Sequence, residues 1–262
     1  MFMRENKVKT GLLSVIFAAL LASCAGPQVQ VSSATPESAE VRNRAAIHTE
    51  LGASYYSRAQ YAVALEELHE AVRIDPGYAS AYSVLGLVHM ELREDDVAMR
   101  NFEQALRLSP SDSDTNNNYG WFLCQRNRID ESIKHFMVAV KNPLYPTPDR
   151  SYVNAGLCLL KKNDMTGAED MFNKAIRVQP KNPQALYNLG NISYTRGQMI
   201  EAKTYLAQLV QVSPDTAESL WLGLKVARKL GEKNAETTYA LQLKRKFPNS
   251  IQTQMLMSGR YE

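Results

Sequence analysis

The amino-acid sequence predicts an all-α fold, a solenoid of six stacked helix–turn–helix repeats, and two observations support this prediction. Glycines recur at intervals of 34, 34, 36 and 34 residues, at Gly52, Gly86, Gly120, Gly156 and Gly190. Twelve residues after each glycine comes a small residue, and sixteen after it comes a phenylalanine or leucine. Self-similarity at a fixed period is typical of repeat architectures, in which each unit buries its apolar face against its neighbours.

The residue types at these positions allow two antiparallel helices to pack closely. A glycine on the first helix and a small residue on the second bring the backbones together, and the phenylalanine or leucine one turn later lies on the same face. A proline ends the second helix because it lacks the backbone N–H and disfavours helical geometry in the preceding residue. These prolines are Pro76, Pro110, Pro180 and Pro214, whereas Leu144 occupies the equivalent position of the third unit.

The recurring order Leu-Gly, Ala, Phe, Ala, Pro resembles the tetratricopeptide repeat. It is clearest in Leu85, Gly86, Ala98, Phe102, Ala105 and Pro110. The resemblance implies a right-handed superhelical solenoid of six tetratricopeptide (helix-turn-helix) repeats. The repeats are predicted to span 45–78, 79–112, 113–146, 149–182, 183–216 and 217–250, with a tail at 251–262 that either docks or frays.

Two repeats depart from the pattern. The third one ends in Pro143, Pro146 and Pro148, and since prolines cannot continue a helix we expect a stiff, extended link there. The sixth repeat is predicted to be degenerate, with Leu224 in place of the glycine and Glu236 in place of the alanine. A terminal repeat has one face without a neighbour, which relaxes the requirement for the motif.

The N-terminus has the features of an exported lipoprotein. Basic residues precede an apolar run from Gly11 to Ala22, which is too short to span a membrane and predicts a signal peptide at 1–23. The sequence Leu-Ala-Ser-Cys ending at Cys24 resembles the bacterial lipobox, which implies covalent lipid on Cys24; an ordinary signal peptide is the alternative. Ala25, in place of an aspartate, implies the inner leaflet of the outer membrane of a Gram-negative bacterium, facing the periplasm. Residues 24–44 are expected to form the acylated N-terminus and a flexible tether.

Composition argues against several functional classes. The net charge of +3 gives no indication of nucleic-acid binding. The four histidines occupy unrelated repeat positions, and the sequence contains no phosphate-binding loop and no nucleophile beside a base. We therefore expect no enzyme activity, no metal site and no cofactor. Repeat six is locally basic, and this charge indicates either a solvated end cap or contact with an anionic partner or membrane surface.

Two cysteines remain after Cys24. Cys124 and Cys158 lie on the first helices of adjacent repeats, where a bridge is geometrically possible. An oxidising compartment favours the disulfide. The alternative is two buried thiols that act as small apolar residues.

A partner-binding groove is expected on the first helices, which in tetratricopeptide repeats line the concave face. Transfer of the groove positions to this sequence gives an apolar strip, namely Tyr56, Leu87, Met90, Trp121, Leu157 and Leu160. Exposed apolar strips edged by polar groups usually mark partner sites. Asn117 and Asn191 are predicted to hold an extended peptide by side-chain hydrogen bonds. For Trp121, partial burial between repeats two and three is the alternative to partner contact.

Three segments make the resemblance more specific. They are Asn117–Cys124 (NNYGWFLC), Asn142–Pro148 (NPLYPTP) and Asn154–Cys158 (NAGLC). Together with the lipobox and the repeats, they are similar to the type IV pilus biogenesis/stability lipoproteins, the PilF/PilW family. The resemblance implies an outer-membrane pilotin, monomeric outside its complex, that binds secretin subunits and promotes their localisation and multimerisation. The alternatives are a scaffold for peptidoglycan or other envelope-assembly enzymes, an accessory subunit of an enzyme, and a non-catalytic structural link to the cell wall.

Overall fold

A computed structural model describes Met1 and residues 36–261. All regular structure in these residues is helical, and no strand occurs in them. The helices are α1 Pro36–Ser57, α2 Tyr61–Ile74, α3 Ala79–Glu91, α4 Asp95–Leu108, α5 Ser113–Gln125, α6 Ile129–Ala139, α7 Pro148–Lys161, α8 Met165–Val178, α9 Pro183–Thr195, α10 Met199–Leu209, α11 Ala217–Leu230, α12 Lys233–Lys246 and α13 Ile251–Met257. Consecutive helices from α1 to α12 form six hairpins, so the predicted all-α solenoid is confirmed.

The repeating glycine is required by the packing of every hairpin except the fifth, where the nearest atom to a Cβ on Gly190 would be 3.5 Å away. A Cβ atom added to Gly86 would lie 2.7 Å from the ring of Phe102, and one added to Gly156 would lie 2.7 Å from the ring of Phe172. Both rings are fully buried. The spacing of sixteen residues seen in the sequence is therefore the distance along the chain between a glycine and the ring that covers it.

The turn inside each hairpin also repeats. One residue per turn has a positive φ, between 57° and 76°, at Ala59, Arg93, Asn127, Asn163, Gly197 and Gly231. Glycine adopts this left-handed conformation freely and asparagine does so more readily than most residues, whereas other side chains cost about 1–2 kcal/mol there. The first two turns therefore keep the same geometry although Ala59 and Arg93 do not favour it.

The sixth repeat is not degenerate in the way predicted from Leu224 and Glu236. Gly223 takes the glycine position, because a Cβ there would lie 2.7 Å from the ring of Tyr239, sixteen residues later. Gly231 still follows Gly197 by 34 residues, because α11 continues two residues further past its glycine than α9 does and the turn after it is one residue shorter. The packed glycine of this repeat therefore lies one residue before the position that the 34-residue period predicts.

The N-terminal boundary of the repeats also differs from the prediction. Contacts divide the chain into Met1–Glu40 and Val41–Glu262, and the repeats lie in the second unit. Residues 36–44 were expected to belong to a flexible tether, but they are helical in α1. A proline at the first helical position and Glu37 in the first turn favour a helix start without any apolar period. The predicted signal peptide, Cys24 and the tether up to residue 35 lie outside the described residues.

The link after the third repeat is compact rather than extended. The Tyr145 N–H donates to the Asn142 carbonyl oxygen at 3.1 Å, and the Leu144 N–H donates to the Asn142 side chain at 3.0 Å. The Tyr145 side chain is buried. Pro148 begins α7, where its fixed φ suits the first helical position. The segment from Asn142 is therefore a turn that leads directly into the fourth repeat.

The tail docks on the sixth repeat. α13 contacts both α11 and α12. Beyond it, the Tyr261 ring stacks on Trp221 with their centroids 5.7 Å apart. The last apolar face of the solenoid is thus covered by the chain's own C-terminal residues, as a terminal repeat requires. No helix among residues 36–261 is both long and apolar enough to cross a membrane.

Successive repeats are stacked more tightly on one side. The first helices contact one another in the pairs α3–α5, α5–α7 and α9–α11. No pair of successive second helices makes contacts of comparable extent within the part of the chain that the structure describes. The first helices therefore lie on the more closely packed side of the repeats, called here the inner side.

Candidate functional site

The inner side carries a row of half-buried side chains at one repeat position. The row consists of Ala53, Leu87, Trp121, Leu157 and Asn191, one on each of α1, α3, α5, α7 and α9. Leu87 and Trp121 pack at the edge of the core around Phe102, and Leu157 packs at the edge of the core around Phe172. One face of each side chain is therefore fixed by the core, and the other face is open to a ligand.

Two further members of the predicted strip extend this row. Tyr56 is half-buried beside the core of repeats one and two, and Leu160 is half-buried beside that of repeats four and five. Burial, followed by the negative charge of Glu91, raises the pKa of Tyr56. Its hydroxyl therefore stays protonated and can donate a hydrogen bond.

A polar edge runs beside the row. The thirteenth residue of each of the first five repeats is exposed and polar, namely Ser57, Glu91, Gln125, Lys161 and Thr195. An apolar row with a polar rim is the arrangement that excludes water from the centre of an interface while its margin stays solvated. This edge gives the row, called here the inner groove, a defined boundary.

Met90 does not belong to the inner groove. Only 6 % of its surface is exposed, and it packs in the core with Phe102 and Phe122. Its position on α3 points it into the hairpin with α4, so the prediction of Met90 as a contact residue is wrong.

Asn117 is not available to a peptide either. Only 1 % of its surface is exposed, and its carbonyl oxygen accepts hydrogen bonds from Ser151 Oγ and Asn154 Nδ2, each at 3.0 Å. With the amide turned over, its oxygen accepts from the Arg150 guanidinium at 3.1 Å instead. In both orientations the amide joins α5 to α7. The prediction of Asn117 as a groove residue is wrong because the neighbouring repeat satisfies its side chain.

Asn191 keeps the predicted character. It is half-buried on α9, and no other described side chain or backbone group hydrogen-bonds to its amide. The amide can therefore donate to and accept from an extended backbone. Of the eight predicted groove residues, six lie on the accessible inner side and two are structural.

The flanking asparagines explain the unusual run at 116–118. Asn116 donates to the carbonyl oxygens of Pro110 and Asp112 at 3.0 and 2.8 Å, which ties the start of α5 to the preceding loop. Asn118 accepts from Arg150 of repeat four at 3.0 Å and donates to Ser83 of repeat two at 3.4 Å. These side chains form a buried polar seam across three repeats, which the repeat pattern alone could not indicate.

A disulfide joins the two cysteines. Cys124 on α5 and Cys158 on α7 are bonded, with their Cα atoms 5.8 Å apart, and both are buried. Trp121 packs against the core cluster that contains both sulfurs. The bridge spans the junction at which the repeat spacing lengthens to 36 residues, so it fixes the two first helices where the stacking is irregular.

Titratable groups do not gather into a metal site in the described part of the chain, where no group of three His, Cys, Asp or Glu side chains could hold an ion. His135 is half-buried in an edge-to-face contact with the Tyr119 ring and hydrogen-bonds through Nδ1 to Asn116 Oδ1 at 2.9 Å. Burial lowers the pKa of His135, with a partly opposing effect from Glu131. The neutral imidazole therefore belongs to the polar seam.

The stacked hairpins and their inner groove define a tetratricopeptide-repeat domain of the protein-interaction type. Family models described as tetratricopeptide repeat match residues 49–113 and 159–225. The chain is similar to PilW, a widely conserved type IV pilus biogenesis factor whose crystal structure is known. The two sequences are 33% identical, and the match covers 81% of this chain and 98% of PilW with a TM-score of 0.72. The chain belongs to the PilF/PilW family of tetratricopeptide-repeat type IV pilus biogenesis proteins.

A second solved relative has the same fold. The structure of Pseudomonas aeruginosa pilF is 28% identical, covers 84% of this chain and 98% of that one, and gives a TM-score of 0.76. In sequence, the type IV pilus assembly protein PilF of P. aeruginosa PAO1 is 28% identical over 136 residues. That alignment covers 52% of this chain and spans about half, 54%, of the relative's length.

Proposed function

We propose that the protein is an outer-membrane lipoprotein adaptor, a pilotin, that binds secretin subunits of the type IV pilus and promotes their localisation and multimerisation. Membership of the PilF/PilW family supports a role in pilus biogenesis. The observation that favours binding of another chain is the inner groove, where Leu87, Trp121 and Leu157 present half-buried apolar side chains in three successive repeats beside a polar edge.

The geometry of the groove suggests how a partner segment is held. Neighbouring packed helices lie about 8–10 Å apart, and an extended chain advances about 3.3 Å per residue. A bound segment running along the stack therefore meets a new first helix at about every third residue. Leu87, Trp121 and Leu157 offer successive apolar contacts, and the Asn191 amide offers hydrogen bonds to its backbone.

Membrane tethering supplies the second half of the proposed mechanism. Lipid on Cys24 holds the adaptor at the outer membrane, since more than one acyl chain makes such anchoring effectively permanent. A secretin subunit bound in the groove is then confined to the membrane surface, which raises its effective concentration for assembly. The chain itself contributes binding and positioning, and we propose no catalytic step.

Site-specific crosslinking in cells tests the partner and the face together. A photo-crosslinking amino acid at Leu87 or Leu157 is expected to capture a secretin subunit. The matched control is Ile200, a large exposed apolar residue on the second helix α10. Capture from Ile200 alone would place the interface on the second-helix side, and capture of peptidoglycan synthases or hydrolases would favour the scaffold function instead.

The role of the anchor is tested separately. Cys24→Ala is expected to leave secretin binding intact while secretin multimers accumulate in the inner membrane. Membrane fractionation followed by detection of heat-resistant multimers measures this. Normal outer-membrane multimers in the Cys24→Ala strain would refute coupling through the lipid.

A further inference from the structure

A second binding feature lies at the end of the solenoid, away from the apolar part of the inner groove. A cleft of about 930 Å³ opens between α9, α11 and the segment after α13. Its lining includes four cations and two aromatic rings, namely Tyr194, Lys225, Arg228, Lys229, Arg260 and Tyr261. We call this feature the basic cleft.

The positive charge of the basic cleft is not balanced within the described chain. Lys225, Lys229 and Arg260 have no carboxylate within 4.0 Å among residues 36–261, and Arg228 has only a long contact of 3.7 Å to Glu236. Two other lysines at this end of the solenoid are paired at short range. Lys203 lies 2.6 Å from Glu232, and Lys246 lies 2.5 Å from Asp215. Lys244 and Arg245 on α12 also lack a carboxylate within 4.0 Å among the described residues, but they are not part of this lining, whereas Lys225, Lys229 and Arg260 line one cleft.

The cations are also held in place. The Lys225 ammonium lies 4.5 Å from the centroid of the Tyr194 ring, and the Arg228 guanidinium carbon lies 3.7 Å from that of Tyr261. Tyr261 is fixed in turn by stacking on Trp221. Cation–π contacts orient these groups without neutralising them. Their charge therefore remains available to an anionic ligand.

The dipole of helix α11 does not account for all of the positive charge in the basic cleft. Arg228 and Lys229 lie in the last turn of α11, where cations are favoured by the helix dipole. Lys225 lies five residues before the end of α11, outside its last turn, and is half-buried. Burial lowers its pKa, which reflects the cost of a desolvated ammonium without a counter-ion. An anion bound in the cleft would offset that cost.

We propose that the basic cleft binds an acidic, extended peptide segment of a partner protein. The cations converge inside a cleft between two first helices and the tail, a shape that admits a narrow chain and that a flat membrane surface does not enter. The two tyrosine rings offer apolar contact to the peptide between its carboxylates. This site goes beyond secretin binding in the inner groove, because it uses different residues and different chemistry.

Binding of a defined peptide tests the proposal. The probe is a fluorescein-labelled peptide of four Glu-Gly units, with four Gln-Gly units as its control, measured by fluorescence anisotropy with the full-length protein in detergent. The Glu peptide is expected to bind and the Gln peptide not to bind. Lys225→Gln/Arg260→Gln is expected to weaken binding about tenfold, since two charge pairs are lost, whereas Lys225→Arg retains it.

A matched variant separates the cleft from general charge effects. Lys244→Gln/Arg245→Gln removes the same charge from exposed positions on α12 and is expected to leave binding within about twofold. An equal loss in both double variants would overturn the proposal. So would equal binding of the Gln peptide. Glu262, which lies outside the described residues, directly follows Tyr261, so Glu262→Gln is measured in parallel and is expected to bind at least as tightly.

The nature of the anion is tested with two competing ligands. Inorganic phosphate and micelles doped with phosphatidylglycerol are titrated against the labelled peptide. Neither is expected to displace it at concentrations where an unlabelled Glu-Gly peptide does. Binding of phosphatidylglycerol that depends on Lys225 and Arg260, without binding of the peptide, would assign the cleft to a lipid surface and refute the peptide proposal.

Discussion

Loss of the Cys124–Cys158 disulfide is expected to destabilise the middle of the solenoid by a calculable amount. The bridged residues are 34 apart in sequence, and the chain-entropy relation for a loop of this length gives about 4 kcal/mol. Replacing both cysteines with alanine also removes two buried sulfur atoms, which adds about 1 kcal/mol. Since each repeat contacts only its neighbours, the effect should centre on repeats three and four.

Two measurements follow the effect. Urea unfolding gives the free energy of unfolding of wild type and of Cys124→Ala/Cys158→Ala, each with and without reductant. Hydrogen exchange then locates the change, with faster exchange expected in α5–α7 than in α9–α12. Reductant should shift the wild type by about 4 kcal/mol and leave the double variant unchanged. A wild-type shift below about 1 kcal/mol, or an equal shift in both proteins, would refute the reasoning.

Three further predictions concern stability. Gly86→Ala should lower the free energy of unfolding by about 1–3 kcal/mol, because its Cβ would clash with a buried ring. Gly190→Ala should raise it by about 1 kcal/mol, because the nearest atom to its Cβ would be 3.5 Å away and alanine favours the helix. Denaturant midpoints measure both variants. Asn117→Ala should lower the free energy of unfolding by about 1–3 kcal/mol, because it leaves buried hydrogen-bonding partners unpaired. Asn191→Ala, measured by the same assay, should change the free energy of unfolding by no more than about 0.5 kcal/mol. The pKa of His135 is lower in the folded state than in the unfolded state, where it is about 6.5. Its contribution to stability should therefore be lost as the pH falls from the unfolded-state pKa through the folded-state pKa. Thermal melts of wild type and His135→Gln across this pH range measure the difference.

Each of these predictions has a distinct contrary result. If Gly86→Ala and Gly190→Ala changed the free energy of unfolding equally, the close approach of the second helix to Gly86 would not explain its requirement for glycine. A neutral Asn117→Ala would mean that the buried seam contributes no stability. For His135, a wild-type acid slope that persists unchanged in the glutamine variant would assign the proton uptake to other groups.

The sequence predicted the repeat architecture because one contact recurs in it. The glycine and the ring that covers it stand sixteen residues apart, a local spacing that needs no knowledge of neighbouring repeats. The same logic could have corrected the sixth repeat, where Gly223 and Tyr239 keep this spacing. The recurring turn residues were a second signal, since Gly197 and Gly231 share their phase with Asn127 and Asn163.

The groove was predicted less completely because contacts between repeats are not periodic in sequence. Asn117 is assigned to the groove by its repeat position alone, but Ser151 and Asn154 of the next repeat satisfy its amide. Met90 was similarly placed by its repeat position, although the aromatic core of repeats two and three buries it. Tyr261 could not be connected with the sixth repeat at all, since its stacking depends on how the tail folds back.

The most direct test of the account is the affinity of the full-length protein for a purified secretin subunit. Leu87→Gln/Leu157→Gln removes two apolar contacts from the inner groove, and Ile200→Gln makes the same chemical change once on the second-helix side. The account predicts a loss of at least about tenfold in affinity for the groove variant, with an unchanged circular-dichroism spectrum, and none for the control. Undiminished binding by the folded groove variant would contradict it.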